Sequence, residues 1–469
     1  TRDAVTTSHN FSFNGGNESS KYFVSANYMK QEGVIRNTGT ERYAFRVNLN
    51  HDFSDKLNYS MNLTSSLVND LNNIEGSGNT ENGPYSLAAI YDPTMEPYNE
   101  DGTLAKSDVF TWPRPLATLQ KDAITSTNRT LGSMNLNYEI ISGLSANAKF
   151  GLDRRVGRED LFAPAASNST GALVATGKIS SLERSSYLLQ YTMNYEKQFD
   201  EDINLSALIG TTYEKFTNRS FFTGTSDFPT DILGTDNLAL GNIENASLGS
   251  NKNDNTILSY LGRVNVAFYD RLLLTSSIRA DGSSRFGENN KFAYFPSAAI
   301  AYKLSNESFI PEFFSELKVR ASWGKTGNQE IGNYTSLSTF TTGGQALFGD
   351  SPYQGTRATR LPNPDLKWET TTQIDVGIDF GLLEDRIWGS IDYFYKNTED
   401  MLLNFPLPTS SSFGSVLRNI GSMKNTGIEF MLNTNNISTR NFNWSTQLQI
   451  ATIRNEVTDI GGLDDILVG

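Results

Sequence analysis

The chain has 469 residues, of which 38% are hydrophobic and 11% aromatic, and its formal net charge is −13. The length exceeds that of one ordinary soluble domain, and the acidic balance argues against nucleic acid as a partner, because phosphate binding needs clustered Lys and Arg. The lack of cysteine excludes disulfides and thiolate metal sites, and two histidines leave little for histidine-dependent chemistry.

The dominant pattern along the chain is an alternation of apolar and polar residues. In the segment Tyr43–Phe53, aromatic and aliphatic residues occupy nearly every second position, and the positions between them are mostly polar. A helix would mix these two sets, whereas a strand places them on opposite faces. The same alternation recurs at 57–64, 187–196, 373–380 and 442–450. Because no run of 18 apolar residues is present, the sequence predicts no transmembrane helix.

About sixteen strands are predicted from this alternation. In chain order they lie near 8–14, 20–31, 39–53, 56–70, 128–140, 143–157, 179–199, 203–217, 254–269, 271–282, 292–303, 316–325, 367–380, 386–397, 418–434 and 441–457. Thirteen of the 14 prolines fall in the connections, and Pro296 is near a strand start. Proline is expected there, because it removes a donor from a sheet ladder.

The predicted connections alternate strictly in length. Tight turns are followed by long loops, the latter at 71–127, 158–178, 218–253, 326–366 and 398–417. The longest of the tight connections, Leu304–Ser315, is predicted to hold one helical turn. Short periplasmic turns that alternate with long extracellular loops are typical of an outer-membrane barrel. The predicted fold class is therefore all-β, a transmembrane antiparallel β-barrel surrounded by outer-membrane lipid.

Candidate substrate contacts lie in the first long loop. Its aromatic residues would offer stacking faces for a sugar ring, and packing of a large loop accounts for them as well; they are Tyr85, Tyr91, Tyr98, Phe110 and Trp112. Four cations in the second half of the chain form a second candidate group. They would face carboxylates of the barrel wall or of a plug, or else be solvated charges; they are Arg279, Arg285, Lys318 and Arg320.

Catalytic and metal sites were sought in the same loop. Carboxylates such as Glu96, Glu100 and Asp101 could pair as glycosidase acids, but carboxylates in surface loops are usually solvated. The segment Asn99–Gly102 resembles part of a calcium loop and lacks the spaced ligand series of one. The sequence therefore predicts no enzyme activity, no metal and no cofactor, with calcium as an alternative that the ligand spacing does not support.

Several segments resemble, in order, the SusC/RagA family of TonB-dependent outer-membrane transporters. The most specific are Ile278–Ser297, Leu317–Gly332, Asn363–Thr370 and Asn419–Glu429. Three further segments near the start of the chain also fit; they are Gly15–Ser19, Gln31–Arg36 and Tyr91–Gly102. Together these segments extend over nearly the whole chain.

The resemblance implies a 22-stranded barrel blocked by an amino-terminal plug that carries a TonB-contact segment. With about sixteen strands, residues 1–469 are expected to form one incomplete barrel domain, without the plug and the final strands. The resemblance also implies a bacterial outer-membrane importer of oligosaccharides or oligopeptides, energised by the TonB complex and the proton gradient. A SusD-like lipoprotein would form its lid, with loops 71–127 and 326–366 as candidates for the contact.

Three alternatives remain at this stage. The first is an iron-chelate (siderophore) receptor with the same transport mechanism, and the second is a surface adhesin or receptor that binds without transport. The third is a soluble all-β binding protein. It predicts that the apolar face of Tyr43–Phe53 packs against protein, whereas a barrel predicts contact with lipid.

Overall fold

The computed structural model describes residues 2–71, 84–102, 115–167, 174–200, 202–349 and 351–462. Within these ranges, sixteen antiparallel strands form the main sheet and follow one another in chain order, apart from two short hairpins that are inserted late. Each inner strand of the main sheet is therefore bonded to the strand before it and the strand after it. This is the meander order expected of an up-and-down barrel wall.

The first eight strands of the main sheet are β1 (Thr6–Gly16), β2 (Ser20–Glu32), β3 (Gly39–Ser54), β4 (Leu57–Leu71), β5 (Asp122–Ile141), β6 (Leu144–Ala163), β7 (Thr176–Phe199) and β8 (Ile203–Ser226). The next eight are β9 (Asn242–Phe268), β10 (Leu272–Ser283), β11 (Phe292–Lys303), β12 (Phe314–Asn328), β15 (Glu369–Leu382), β16 (Ile387–Glu399), β19 (Ser422–Ser438) and β20 (Asn443–Asp459).

The inserted hairpins lie in two of the long connections. One pairs β13 (Phe340–Phe348) with β14 (Ser351–Ala358), and the other pairs β17 (Leu402–Pro406) with β18 (Ser415–Asn419). Pro352 and Pro406 lie within these short strands, and both remain in connections of the main sheet, as predicted. Two-stranded hairpins have only edge strands, where a missing backbone donor is tolerated.

Each of the sixteen predicted strands corresponds to one strand of the main sheet, so their number and order are confirmed. The largest error is in strand length. β8 continues to Ser226 and β9 begins at Asn242, several residues beyond the predicted ends. The extra residues are mostly polar. Hydrogen bonds between neighbouring strands pair the backbone whether or not an apolar face is present. For this reason, the alternation of residues underestimates the length of the strands.

The predicted strict alternation of connection length is wrong at three places. Connections 33–38 and 284–291 are short although they lie at the same end of the strands as the long loops. In the first, Gly33 N–H donates to the Thr38 carbonyl, and Asn37 adopts a positive φ of 62°. At the other end, connection 304–313 is long enough to hold the 3₁₀ helix Leu304–Asn306, which confirms the predicted helical turn.

The apolar face of the first strands is exposed. Tyr43 lies between Tyr28 and Leu67 on the neighbouring strands, and it is exposed together with Phe45 and Phe53. No described residue covers this face. The soluble alternative, which requires the face to pack against protein, is therefore wrong for the described part of the chain. An apolar band on one face of a sheet is expected where lipid covers it.

Most of the buried apolar residues lie near strand ends or in connections, and Phe394 in the middle of β16 is an exception. The chain forms two compact units, of which the first contains 2–136, 149–188 and 215–254, and the second contains 137–148, 189–214 and the residues from 255 on. In the first unit, the buried apolar side chains are Leu87, Ala117, Phe162, Ala163 and Ala175. In the second, they are Phe286, Phe295, Leu366, Trp368, Phe394 and Val416.

Two short α-helices, α1 (Pro84–Ile90) and α2 (Pro115–Thr118), lie in the first long connection. None of the helices in the described part of the chain combines the length and the apolarity that a membrane-spanning helix needs.

Candidate substrate-contact surfaces

The first long connection is held by the packing of α1 against α2. Leu87 of α1 is fully buried, as is Thr118 of α2. Tyr85 lies two positions before Leu87, and residues two apart point to different sides of a helix. The Tyr85 side chain is therefore exposed. Burial lowers the pKa of Lys121, which follows α2 and donates its backbone N–H to the Thr118 carbonyl.

Tyr91 and Tyr98 follow α1 in an irregular segment. Tyr91 is half-buried, and its backbone N–H donates to the Leu87 carbonyl at 3.0 Å. The Asp92 carboxylate accepts the backbone N–H of Thr94 at 2.9 Å and its hydroxyl at 2.7 Å. The backbone bond, and secondly the hydroxyl bond, hold the pKa of Asp92 below its usual value. Six residues further on, the Tyr98 side chain is exposed.

The five predicted contact residues differ in their exposure, and two of them are not described by the structure. Tyr85 and Tyr98 are exposed where a ligand can reach them, whereas Tyr91 is partly used to pack the segment. Phe110 and Trp112 lie outside the described residues. Nothing in the structure tests cargo contact by any of the five, so it stays a prediction.

The segment that resembles part of a calcium loop forms a turn. Gly102 N–H donates to the Asn99 carbonyl at 2.9 Å, and Gly102 has a φ of +79°. Within the described ranges, no group of three or more His, Asp or Glu side chains is placed to hold a metal ion. The expectation that the protein has no cofactor stays a prediction.

Four buried residues of the second unit form what we call the Trp368 cluster: Phe286, Phe295, Leu366 and Trp368. The Trp368 ring lies 4.9 Å from Phe286 and 5.5 Å from Phe295, between ring centroids. Its indole N–H donates to the Lys291 carbonyl at 3.1 Å, so the buried ring also has its polar group satisfied. The cluster joins connection 284–291, strand β11 and the residues just before β15.

Hydrogen bonds extend the cluster to the connection between β16 and β19. Asn363 donates to the Leu417 carbonyl at 2.8 Å. The Asn419 side chain accepts the Lys367 N–H at 2.9 Å and donates to the Lys367 carbonyl at 2.7 Å. Lys367 also forms an ion pair with Asp400 at 2.6 Å. These bonds satisfy backbone groups that loops would otherwise leave unpaired.

Two glycines permit the close approach of these segments. A Cβ atom at Gly287 would overlap the carbonyl oxygen of Pro364, and one at Gly327 would overlap the Phe295 ring. Neither position accepts a larger residue without displacement of its neighbour. Three of the four most specific family segments contribute residues to the Trp368 cluster or to its hydrogen bonds, and the fourth, Leu317–Gly332, places Gly327 against the Phe295 ring. Part of the resemblance therefore reflects how the connections pack.

The predicted cations of the second half contact carboxylates of the same chain. Arg279 pairs with Asp281 at 2.6 Å and also donates to the Ser259 hydroxyl at 2.8 Å. Arg285 lies 3.6 Å from Glu330 and donates to the Asn333 side chain at 3.0 Å. The prediction that these cations face carboxylates of the wall is confirmed for Arg279, whereas the partner of Arg285 lies in the connection that follows β12.

Lys318 and Arg320 form a network across three strands. Lys318 pairs with Asp379 at 2.7 Å, and Arg320 pairs with Asp379 at 3.2 Å and with Asp392. Gly377 lies between Arg320 and Asp392 in the register, and a Cβ there would overlap both side chains. Asp379 and Asp392 were not predicted as the partners of these cations. Their polar positions in the alternation were the available signal.

The exposed apolar face, the ion-paired polar face and the connections that pack together at the strand ends define a membrane β-barrel protein of the outer-membrane receptor type. A family model described as TonB dependent receptor-like, beta-barrel matches residues 68–465. The chain belongs to this family, which locates it in the bacterial outer membrane, and its main sheet is part of the barrel wall.

Two relatives illustrate the similarity. The TonB-dependent receptor P26 of Formosa agariphila is 33% identical over 463 residues, which cover 97% of this chain and 46% of that protein. The TonB-dependent receptor SusC of Bacteroides thetaiotaomicron is 29% identical over 504 positions, which cover 99% of this chain and 48% of SusC. The chain spans about half the length of the curated relatives it matches. The predicted SusC/RagA resemblance is confirmed.

Solved structures agree with this assignment. The RagAB peptide transporter matches with a TM-score of 0.83 and 26% identity, over 97% of this chain and 51% of that chain. The siderophore receptor PirA from Acinetobacter baumannii matches with a TM-score of 0.55 and 13% identity, over 97% of this chain and 60% of that chain. The second likeness is one of fold alone.

Proposed function

We propose that this chain is the barrel part of an outer-membrane active importer of oligosaccharides or oligopeptides. The TonB complex and the proton gradient supply the energy, and a SusD-like surface lipoprotein acts as the lid. The similarity to SusC and to the RagAB peptide transporter supports this proposal. The chain itself has no catalytic role and needs no cofactor, because the work is mechanical and is done through the plug.

The structural observation that supports it best is the Trp368 cluster. It joins connections 284–291, 329–368 and 400–421 into one packed body at the end of the strands where the long loops lie. A lid that opens and closes needs a stable surface to close against. Separate, unpacked loops would lose conformational entropy each time the lid docked.

The hairpin β13–β14 supplies a candidate contact for the lid. Phe340 and Leu347 are exposed on it, and Leu337 is exposed just before it. Several exposed apolar side chains on one surface hairpin favour a protein contact. The exposed Tyr85 and Tyr98 are assigned to cargo contact in the first long connection.

The test is a purification of the full-length protein from its native outer membrane in mild detergent. Mass spectrometry then identifies the co-purifying chains and any bound ligand. We expect a tightly held surface lipoprotein, together with glycan or peptide. Uptake of that ligand by whole cells should stop when TonB is removed.

Other results would replace the proposal. A barrel that purifies without a lid and takes up a ferric chelate would be an iron-chelate receptor, to whose solved members the chain is similar in fold. A barrel that binds its ligand without TonB-dependent uptake would be an adhesin or a receptor.

A further inference from the structure

A groove of about 510 Å³ lies where strands β5 to β8 approach the long connections of the first unit. Four exposed cations line it. Arg158 on β6 is paired with Asp160 at 2.9 Å, and the other three are Arg155 on β6 and Lys178 and Arg184 on β7. Successive side chains of a strand point to opposite faces of the sheet. Arg155 is an odd number of positions from the apolar residues Phe150 and Leu152, so it lies on the polar face. In a barrel of this family, that face lines the interior.

Arg155, Lys178 and Arg184 are available for a ligand. Among the residues that the structure describes, none of the three forms an ion pair. The carboxylate that acts electrostatically on Arg155 is Asp153, and Arg129 already binds both of its oxygens, at 3.0 and 2.8 Å. Glu159 is the carboxylate that lines the groove, and it accepts a hydrogen bond from the Ser180 hydroxyl at 2.9 Å.

The local charge is therefore opposite to that of the whole chain. Arg155, Arg158, Lys178 and Arg184 line the groove against one lining carboxylate, Glu159, and Asp160 neutralises Arg158, whereas the chain as a whole has a net charge of −13. Unpaired like charges repel one another, and in a concave site they raise the local concentration of ions of the opposite sign. A site with this arrangement favours an anionic ligand.

The other groups of the groove favour a saccharide. The hydroxyls of Thr125, Thr127 and Ser220 line it, and hydroxyls both donate and accept, as sugar hydroxyls do. The Phe222 ring, with the Lys178 ammonium 6.0 Å from its centroid, adds an exposed apolar surface. Strands β5 to β8 follow one another within the sheet, so they offer no free edge to which a peptide could add as a further strand.

We propose that this groove binds an acidic oligosaccharide, with Arg155, Lys178 and Arg184 contacting its carboxylate or sulfate groups. The inference narrows the cargo of the importer proposed above and rests on that function for its biological meaning. Charge-assisted hydrogen bonds from these cations would supply much of the affinity. The hydroxyls and Phe222 would contact the sugar rings between the charges.

The test measures equilibrium binding to the purified full-length protein, with its co-purifying chains, by calorimetry. The probes are two matched pairs: tetragalacturonate with its methyl ester, and sulfated maltotetraose with maltotetraose. We expect at least one charged probe to bind about tenfold or more tightly than its neutral partner. Its affinity should fall as salt is raised, because salt screens exposed charges.

Variants then assign the binding to the groove. Three single substitutions should each lower the affinity for the charged probe by about tenfold and leave the affinity for the neutral probe unchanged: Arg155→Gln, Lys178→Gln and Arg184→Gln. Arg154→Gln is the matched control, since Arg154 is adjacent, pairs with Glu183 at 2.8 Å and lies on the opposite face of β6. All four side chains are exposed, so the fold should persist, as circular dichroism can verify.

Three results would overturn the proposal: equal affinity for charged and neutral probes, equal loss in the Arg154 control, or preference for tetraglutamate over both charged saccharides. Because binding is measured without uptake, these results leave the importer function intact. Conversely, if an acidic saccharide binds here without TonB-dependent uptake, the proposed importer function is contradicted, whereas the proposed binding site is supported.

Discussion

The segment 84–102 and the Trp368 cluster are both built from connections, but they are held in different ways. In the former, the bonds that shape the chain are local, such as those from Thr94 to Asp92 and from Tyr91 to Leu87. In the latter, partners are far apart in sequence, such as Trp368 with the Lys291 carbonyl. The first segment exposes aromatic rings, whereas the second buries them.

The difference shows what the family segments encode. A residue that must fill a space between distant segments is constrained by every neighbour, as Gly287 is by the Pro364 carbonyl. A residue on an exposed turn meets few such constraints. In this chain, the family-like segments that meet at Trp368 form the support, and cargo contacts are better sought among exposed side chains such as Tyr85 and Tyr98.

The largest effect is expected for Trp368→Ala. Loss of this ring removes contacts with Phe286 and Phe295 and leaves a cavity, at a cost of about 3–5 kcal/mol in the free energy of unfolding of the cluster. Limited proteolysis of the full-length protein in lipid vesicles should show cleavage in 284–291 or 329–368. Trp444→Ala is the control, because Trp444 is 53% exposed whereas Trp368 is 6% exposed. Equal protection of both variants would contradict the role given to the cluster.

A smaller effect is expected for Gly287→Ala. The added methyl group overlaps the backbone of Pro364, and overpacking of this kind costs about 1–3 kcal/mol. Gly343→Ala adds the same group where nothing lies within 4 Å, and it should leave stability unchanged. Urea unfolding in vesicles compares the two. If both alanines are tolerated equally, the close approach of the two segments is not required.

Asp379→Asn should cost less, about 1–2 kcal/mol, because it leaves Lys318 and Arg320 without their shared carboxylate in a partly exposed site. The side chain of Asp379 is 20% exposed. Asp270→Asn is the matched control, since Asp270 pairs with Lys303 at 2.7 Å but is 74% exposed. The same urea titration should show almost no change in the free energy of unfolding for Asp270→Asn. A larger loss for Asp270→Asn than for Asp379→Asn would refute the importance of the network.

The smallest effect concerns the local turn of segment 84–102. Thr94→Val removes the hydroxyl bond to Asp92 and keeps the backbone bond, so the pKa of Asp92 should rise part of the way to its usual value. Thr94→Ser keeps both bonds and should leave the pKa unchanged. Carboxyl NMR titration measures it. Because the folded pKa is lowered, the stabilisation is present above the unfolded pKa and is lost as pH falls through the folded pKa. An unchanged pKa in the valine variant would show that the hydroxyl contributes nothing.

Much of the fold could be predicted from the sequence. All sixteen strands of the main sheet were predicted, because one face of each strand has to be apolar and the other polar. This requirement appears directly as the alternation of residues. The hairpins β13–β14 and β17–β18 were not, since their strands alternate weakly and lie outside the apolar band. The exposed Tyr85 and the half-buried Tyr91 look alike in sequence, and only the packing of α1 separates them.

The sequence by itself determined the number and order of the main-sheet strands, the exposed apolar face and the family, because these depend on local periodicity and on short segments. Only the tertiary structure decided the rest. It showed that Arg320 reaches across Gly377 to Asp392, that family segments meet at Trp368, and that Arg155, Lys178 and Arg184 share one groove. These are contacts between strands, and which residues face each other across strands depends on register and strand length, which alternation within one strand does not specify.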